Sequence, residues 1–192
     1  MKIVLFGDSI RQQASGYGKI VQETLEKEGH KVWQPDDNSR FSKYLLRQIA
    51  DYKNEIKDAN VIHFNAGHWD IGVMFDSDCE SFSTIDEYLN NLRRIVAEFK
   101  TITPRIIFAT TTPVRSKHVN ENNELIQKYN AAAVKLMKEL DVKIDDLFPI
   151  VLPELENCIL GEKDQIHPTE YGKKILAKQV LKVIREEMKH IK

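Results

Sequence analysis

The sequence predicts an α/β protein in which a five-stranded parallel sheet lies between two layers of helices. Short apolar runs alternate along the chain with amphipathic segments, which is typical of strands connected by helices. The clearest runs, residues 60–64 and 105–109, are β-branched and almost continuously apolar, as strands buried on both faces are. The chain has 192 residues, and no linker or repeat marks a second unit. We therefore expect a single domain over residues 1–192.

The strands are predicted where β-branched and aromatic residues cluster between polar segments. We place them at residues 3–6, 31–33, 61–65, 105–111 and 142–144. In a parallel sheet of this kind, ligands bind beyond the carboxyl ends of the strands. The residues that follow the first, third and fourth strands are therefore expected to converge at one edge.

The helices are predicted where apolar residues recur three and four positions apart. We place two at residues 19–28 and 42–57, and three along apolar stripes within residues 88–99, 125–140 and 175–184. Two segments follow neither period and are the longest predicted loops, namely residues 71–83 and 112–122.

Several residues are expected to mark helix ends. Gly29 should end the first helix as a C′ glycine. Thr84 or Ser83 should cap the third helix, and Glu87, three residues after Thr84, would complete a capping box. Pro168 suits the first position of the last helix.

Composition limits the partners and the location of the protein. With 28 basic and 29 acidic residues the net charge is −1, which argues against a nucleic-acid or anionic-membrane partner. No apolar stretch approaches the roughly 20 residues of a membrane span. Cys79 and Cys158 form no CxxC motif, so a metal cage or a disulfide framework is not expected. The chain begins with a short strand-like run instead of a signal peptide, which predicts a cytoplasmic protein.

Two short motifs carry candidate chemistry. A serine follows the first predicted strand in GDSI, residues 7–10, and an aspartate and a histidine lie in DQIHP, residues 164–168. A serine hydroxyl is a poor nucleophile unless an imidazole takes its proton and a carboxylate orients that imidazole. We therefore predict Ser9 as nucleophile, His167 as base and Asp164 as orienting carboxylate. The alternatives are a turn with a helix cap at Ser9 and an Asx turn at Asp164.

These motifs resemble the first and last signature blocks of the SGNH, or GDSL-type, hydrolases, and the resemblance is framed by both ends of the chain. The rival serine-hydrolase motif G-x-S-x-G is absent, because Arg11 stands two residues after Ser9. The resemblance implies a flavodoxin-like α/β/α sandwich and a serine esterase or lipase that uses Ser9, Asp164 and His167.

The resemblance also implies three oxyanion donors: the nucleophile's backbone N–H, a glycine N–H after the second strand and an asparagine in a G-x-N-D block. Ser9 would supply the first. No glycine follows the second strand here, so Asn38 is the candidate for a backbone N–H, because asparagine tolerates unusual backbone angles. Aligning GHWD, residues 67–70, with G-x-N-D places Trp69 at the asparagine position. We prefer Asn65 as the third donor, since an amide suits oxyanion donation, with the indole N–H of Trp69 as the alternative.

The predicted substrate pocket comprises loop residues at the same edge of the sheet: Asp8, Gly67, His68, Trp69 and Arg115. Asp8 is expected to anchor the nucleophile turn, and Trp69 to wall the pocket. His68 is either a substrate contact or polar surface. Arg115 either binds an acidic group of the substrate or is a solvated loop residue.

No metal or other cofactor is expected. His63, His68 and Asp70 lack the spacing of a zinc motif, and the proposed triad contains its own base and nucleophile. His63 lies on a predicted buried strand and is expected to be a satisfied core residue.

The resemblance therefore implies an esterase that removes a short acyl group, such as acetyl, from a carbohydrate or similar small alcohol. Its partner would be a small-molecule ester. A lysophospholipase or thioesterase of the same family is an alternative, and so is a non-catalytic binding module with the same fold. The presence of Ser9, Asp164 and His167 together argues against the binding module.

Overall fold

The computed structural model describes residues 1–12, 14–75, 79–115 and 120–191. Within these ranges one sheet contains five strands: β1 (Lys2–Phe6), β2 (Lys31–Trp33), β3 (Val61–Asn65), β4 (Ile106–Ala109) and β5 (Lys143–Asp145). All neighbouring strands are parallel, and their order is β2-β1-β3-β4-β5. This is the flavodoxin-like order, so the expected fold class is confirmed.

Helices connect the strands and follow them. In chain order they are α1 (Gly18–Lys27), α2 (Ser42–Asp51), α3 (Lys53–Ile56), α4 (His68–Ile71), α5 (Ile85–Lys100), α6 (Asn123–Glu139), α7 (Phe148–Val151), α8 (Leu155–Cys158) and α9 (Glu170–Met188). A 3-10 turn, Leu152–Glu154, separates α7 from α8. No helix within the described ranges has the length and apolar character needed to cross a bilayer.

Two apolar layers cover the sheet. Successive side chains of a strand point to opposite faces, so Val4 and Phe6 of β1 pack with α2, α5 and α6. Ile3 and Leu5 pack instead with α1 and α9. The sheet is thus buried on both faces, which explains the continuous apolar runs in the sequence.

The predicted elements differ from the observed ones where tertiary contacts override local pattern. The helix expected over residues 42–57 breaks at Tyr52, whose ring packs 5.2 Å from that of Trp33. The fourth strand ends at Ala109 and not at 111, because both backbone groups of Thr111 bond to the Asn130 side chain at 2.9 Å. The short helices α4, α7 and α8 were not predicted, since four residues show no period.

The helix ends agree with the sequence at two places and disagree at one. Thr84 and Glu87 form the expected capping box at the start of α5. Gly29 has φ +85° just after α1, as a C′ glycine does. Pro168 is not the first residue of α9, which begins at Glu170 after the N-cap Thr169. Thr169 takes this role because its Oγ1 accepts the N–H of Gly172 at 3.0 Å.

Candidate active site

The carboxyl ends of β1 and β3 meet at the topological switch point of the sheet. β1 leads into Gly7, where an added Cβ atom would lie 1.9 Å from Oδ1 of Asn65 at the end of β3. Only glycine allows the segment after β1 to approach the end of β3 this closely. Ser9 follows two residues later and is 8% exposed, so the fold delivers its hydroxyl to the position where such sheets bind ligands.

Asp8 shapes the turn that carries Ser9. Its Oδ1 accepts the backbone N–H of Ile10 at 3.0 Å, and its backbone oxygen accepts those of Arg11 and Gln12, each at 3.1 Å. Asp8 is fully buried and does not contribute to the wall of the cavity beside Ser9. It therefore anchors the turn and is not among the residues that line this cavity.

Asp164 and His167 form a tight pair in the turn before α9. The Asp164 carboxylate accepts the backbone N–H of His167 at 2.7 Å and that of Ile166 at 3.1 Å. His167 Nδ1 lies 3.0 Å from each oxygen of the same carboxylate. Because an ionised carboxylate only accepts, Nδ1 carries the proton and Nε2 is left as the basic nitrogen of the neutral ring.

The charge of Asp164 follows from the same contacts. Partial burial raises the pKa of this carboxyl, but hydrogen bonds from the backbone of His167 and Ile166 and from the imidazole outweigh burial and lower it overall. Asp164 is therefore ionised at neutral pH and able to stabilise a protonated His167.

One cavity of about 430 Å³ brings the two distant motifs together. Ser9 and His167 both line it, together with Asn38, His68 and Trp69 of the residues expected at the site. Asp164 joins this group through His167. Between these described residues the Ser9 hydroxyl makes no direct hydrogen bond to His167, a contact that serine hydrolases often complete only with substrate bound.

The backbone N–H of Asn38, expected as an oxyanion donor, is already used in another hydrogen bond. This N–H donates to Asp37 Oδ1 at 2.8 Å, so it is not the free group. The Oδ1 of Asn38 accepts the N–H of Arg40 at 2.7 Å, which fixes the orientation of the side chain. The group that Asn38 offers at the cavity wall is therefore its side-chain amide.

Asn65 and Trp69, the two candidates for the third donor, lie in different places. Trp69 is on the cavity wall and is 38% exposed. Asn65 is 4% exposed and packs against Gly7, and its Oδ1 is buried without a hydrogen-bond partner in the described chain. Trp69 therefore lines the cavity and Asn65 is not among its lining residues, and the choice between the two donors stays a prediction.

His68 is a buried residue of the cavity wall and not the polar surface residue that was one of its two alternatives. It is 2% exposed, with Nδ1 2.7 Å from Glu121 Oε2 and Nε2 3.0 Å from Thr112 Oγ1. Burial lowers the pKa of His68, but the charge of Glu121, its hydrogen bond and the charge of Asp8 raise it overall. A second histidine–carboxylate pair therefore lies in the wall of the same cavity.

Gly67 and Arg115 do not line the cavity. A Cβ at Gly67 would lie 1.8 Å from Thr111 Oγ1, so the glycine serves packing. The Arg115 guanidinium binds Glu156 and donates from Nε to Ile159 O at 2.9 Å, and the backbone N–H of Arg115 donates to Gln165 O at 3.0 Å. Arg115 thus holds the segment before His167, and contacts of Gly67 or Arg115 with substrate remain predictions from the sequence.

Arg11 has a structural role that the sequence did not reveal. It is fully buried and donates to Gln34 Oε1, Pro35 O, Gly7 O and Asp37 O, each at 3.1 Å. Burial lowers its pKa to about 10, opposed by nearby acidic groups and Tyr17. One guanidinium therefore ties the loop that carries Asn38 to the nucleophile turn. A lone arginine in a polar turn looks like a solvated residue, so no local pattern could have identified it.

Other wall residues were also missed. They are Gln12, Ser15, Met74, Asn120, Glu121 and Ile166. Most lie in loops whose path depends on contacts between distant segments, such as the bond from Val73 N–H to Asn120 O at 2.9 Å. Part of the second long predicted loop, residues 116–119, lies outside the described residues.

His63 is a buried core residue, as expected, but only one ring nitrogen is satisfied, because its Nδ1 has no hydrogen-bond partner among the described residues. Its Nε2 lies 3.1 Å from Asp145 Oδ2, whose other oxygen accepts from Gln179 at 2.8 Å. Across the described ranges, no group of three or more histidine, cysteine, aspartate or glutamate side chains is arranged to hold a metal ion.

Comparison with known proteins gives a consistent result. The model of the GDSL-like Lipase/Acylhydrolase family matches residues 3–180. The GDSL esterase/lipase CPRD49 of Arabidopsis thaliana is 26% identical over 211 residues, covering 98% of this chain and 80% of that protein. The lipase/acylhydrolase from Enterococcus faecalis has a similar solved structure, with TM-score 0.76, 18% identity and coverage of 96% of this chain and 95% of that one. The acetyl xylan esterase AlAXEase gives TM-score 0.77, 18% identity and coverage of 96% and 100%.

Proposed function

The chain belongs to the GDSL-like lipase/acylhydrolase family and is a carboxylic ester hydrolase, and within this family we propose a serine esterase that removes short acyl groups, such as acetyl, from a carbohydrate or similar alcohol. The observation that carries the proposal is the cavity in which Ser9 and the Asp164–His167 pair meet at the switch point of the sheet. The non-catalytic alternative is set aside by the family assignment.

The chemistry would proceed in two halves. Ser9 Oγ attacks the carbonyl carbon of the ester while His167 Nε2 takes the hydroxyl proton, and the ionised Asp164 stabilises the imidazolium. His167 returns this proton to the alcohol oxygen as the ester C–O bond breaks, which leaves an acyl group on Ser9. Water, deprotonated by His167, then attacks the acyl carbon, and the acid departs as Ser9 regains its proton.

Negative charge develops on the carbonyl oxygen in both halves and needs preorganised donors. We assign them to the backbone N–H of Ser9, the side-chain amide of Asn38 and the indole N–H of Trp69. The positions of Asn38 and Trp69 on the cavity wall support this set. The Arg11 bonds to Gly7 O and Asp37 O support it as well, because they hold the Asn38 loop against the nucleophile turn.

The acyl preference rests on the size and polarity of the site. The cavity of about 430 Å³ has polar wall residues, including Gln12, Ser15 and Asn120, that suit an alcohol with several hydroxyl groups. The acetyl xylan esterase AlAXEase, whose solved structure shares the fold over 96% of this chain, is consistent with that choice.

A long-chain activity, as in a lysophospholipase or thioesterase, is the second candidate. The observation in its favour is an apolar group in the cavity wall, Met74, which is 44% exposed. The cytoplasmic location and the absence of nucleic-acid and membrane partners remain predictions from the sequence.

Chain-length profiling separates the two candidates. Nitrophenyl esters from acetate to laurate and a set of acetylated sugars would be assayed under identical conditions. We expect kcat/KM to be highest for acetate and to fall at least tenfold by octanoate, with measurable release of acetate from sugars. A maximum at octanoate or longer, with no deacetylation of sugars, would favour the long-chain enzyme.

A further inference from the structure

A second cleft lies on the surface between the start of α2 and the start of α5. It encloses about 320 Å³. Two aromatic side chains form its apolar part: the rings of Phe41 and Phe82 lie 5.2 Å apart at 57°. Phe82 is 45% exposed, so a flat apolar face is open to solvent. We call this feature the aromatic cleft.

A buried hydrogen-bond network fixes both aromatic residues. Asp70 accepts the backbone N–H of Ser42 at 2.8 Å, the Ser42 hydroxyl at 2.6 Å and the Ser83 hydroxyl at 2.8 Å. Ser42 directly follows Phe41, and Ser83 directly follows Phe82. The aromatic pair is therefore held in place before any ligand arrives, which reduces the entropy lost on binding.

The same network joins the aromatic cleft to the catalytic cavity. Asp70 accepts hydrogen bonds from Ser42, which follows Phe41, and from Ser83, which follows Phe82. Trp69, the residue before Asp70, lines the cavity. Asn38 of the cavity wall and Phe41 of the cleft are three residues apart in the segment that follows β2, so the two sites lie at the same edge of the sheet.

The lining of the cleft has the chemistry of a sugar site. Beside the two rings it presents the side chains of Lys43, Asn90 and Arg94. An amide both donates and accepts, and the two cations donate, so these groups match the hydroxyls of a sugar. An alkyl chain would cover the same polar groups without replacing their hydrogen bonds to water, which is unfavourable.

We propose that the aromatic cleft is a sugar subsite, which binds a pyranose ring of an oligosaccharide while the acyl group of the same molecule enters the catalytic cavity. This inference rests on the proposed function and narrows its substrate class from any acetylated alcohol to an acylated oligosaccharide. The C–H face of the sugar would lie on Phe82, and its hydroxyls would meet the polar side of the cleft.

The test compares hydrolysis of acetylated tetrasaccharides of xylose, glucose, mannose and N-acetylglucosamine with that of the matching acetylated monosaccharides and of nitrophenyl acetate. At least one tetrasaccharide should exceed its monosaccharide in kcat/KM by about fivefold to tenfold, as expected for partial burial of one aromatic face. Phe82→Ala and Phe82→Leu should abolish this advantage, and Phe82→Tyr should keep it, because Leu is apolar but lacks the flat ring.

Phe75→Ala is the matched control, because Phe75 is 59% exposed but does not line the aromatic cleft. It should keep the advantage of the tetrasaccharide. Calorimetric titration with the unacetylated tetrasaccharides provides a readout that does not depend on hydrolysis, and binding should weaken in Phe82→Leu but not in Phe75→Ala.

The outcomes separate the two proposals. If no acetyl ester is hydrolysed, the proposed function fails, and the titrations still decide whether the cleft binds sugar. If nitrophenyl acetate is hydrolysed but no tetrasaccharide binds or surpasses its monosaccharide, the cleft assignment is overturned and the esterase stands. An equal loss of the tetrasaccharide advantage in Phe82→Leu and Phe75→Ala would also overturn the cleft assignment.

Discussion

His167 Nδ1 lies 3.0 Å from both carboxylate oxygens of Asp164, three residues away in the same turn. The carboxylate is oriented by two backbone N–H groups of that turn, at 2.7 and 3.1 Å. The proposed base and its orienting acid are therefore built locally, and the fold has only to bring this turn to Ser9.

Replacing the Asp164 carboxylate by an amide tests whether this carboxylate orients His167. In Asp164→Asn the side chain can still accept the two backbone N–H groups, but its NH₂ can donate to Nδ1 and stabilise the wrong tautomer of His167. We expect kcat to fall about 10⁴-fold with little change in KM. Steady-state kinetics would measure this, with thermal unfolding as the control for folding. A loss of less than tenfold would show that the carboxylate does not orient the base.

The third oxyanion donor can be identified with two variants. Trp69→Phe keeps an aromatic wall but removes the indole N–H, so kcat should fall about 10²-fold or more while KM changes little. Asn65→Ala should reduce kcat by less than tenfold, because Asn65 packs against Gly7 and is not among the residues that line the cavity. A larger loss of kcat in Asn65→Ala than in Trp69→Phe would return the role to the amide.

Arg11 should affect stability and turnover together. Arg11→Met removes a buried guanidinium that satisfies four acceptors, so the free energy of unfolding should fall by about 3 kcal/mol or more. Arg11→Lys should recover only part of this loss, because a lysine lacks the planar fork of donors. Urea unfolding and kcat would be measured for both variants.

Arg40→Lys is the matched control for Arg11. Arg40 is exposed in the same loop and stacks over Tyr44 at 4.8 Å. It should change the free energy of unfolding by less than about 0.5 kcal/mol. Equal effects of Arg11→Lys and Arg40→Lys would contradict the positioning role.

The buried His68–Glu121 pair predicts a pH dependence of stability. The folded-state pKa of His68 is raised, so the pair contributes stability that is present below the unfolded pKa of about 6.5 and is lost as the pH rises through the folded pKa. The difference in unfolding free energy between the wild type and Glu121→Gln should therefore be larger at pH 6 than at pH 9. Denaturant titrations at both pH values test this, and a difference that grows toward pH 9 would contradict the sign.

The sequence could predict those features that depend on a short local motif or on a periodic pattern. The five strands follow from β-branched runs, and the triad candidates from motifs whose residues lie within a few positions of each other. Arg11 could not be predicted as a buried clamp, because all but one of its acceptors lie on a distant segment. The structural role of Arg115 could not be predicted for the same reason, because its partner, Glu156, is 41 residues away.

The choice between Asn65 and Trp69 shows a different limit. Donor chemistry favours the amide, but the donor must also face the cavity, and this depends on how closely β3 approaches Gly7. That approach is a property of two strands packed side by side. No motif within either strand encodes it.

The most direct test of the account is covalent labelling of the nucleophile. The protein would be treated with a fluorophosphonate or a sulfonyl fluoride and digested, and the modified residue located by mass spectrometry, with Ser9→Ala and Ser15→Ala treated in parallel. Ser15 also lines the cavity, so Ser15→Ala is the control for a nearby hydroxyl. We predict a single adduct on Ser9, a fall of about 10⁴-fold or more in ester hydrolysis for folded Ser9→Ala, and labelling of Ser15→Ala like the wild type. An adduct on another serine, or hydrolysis retained by Ser9→Ala, would contradict the assignment of Ser9 as the nucleophile.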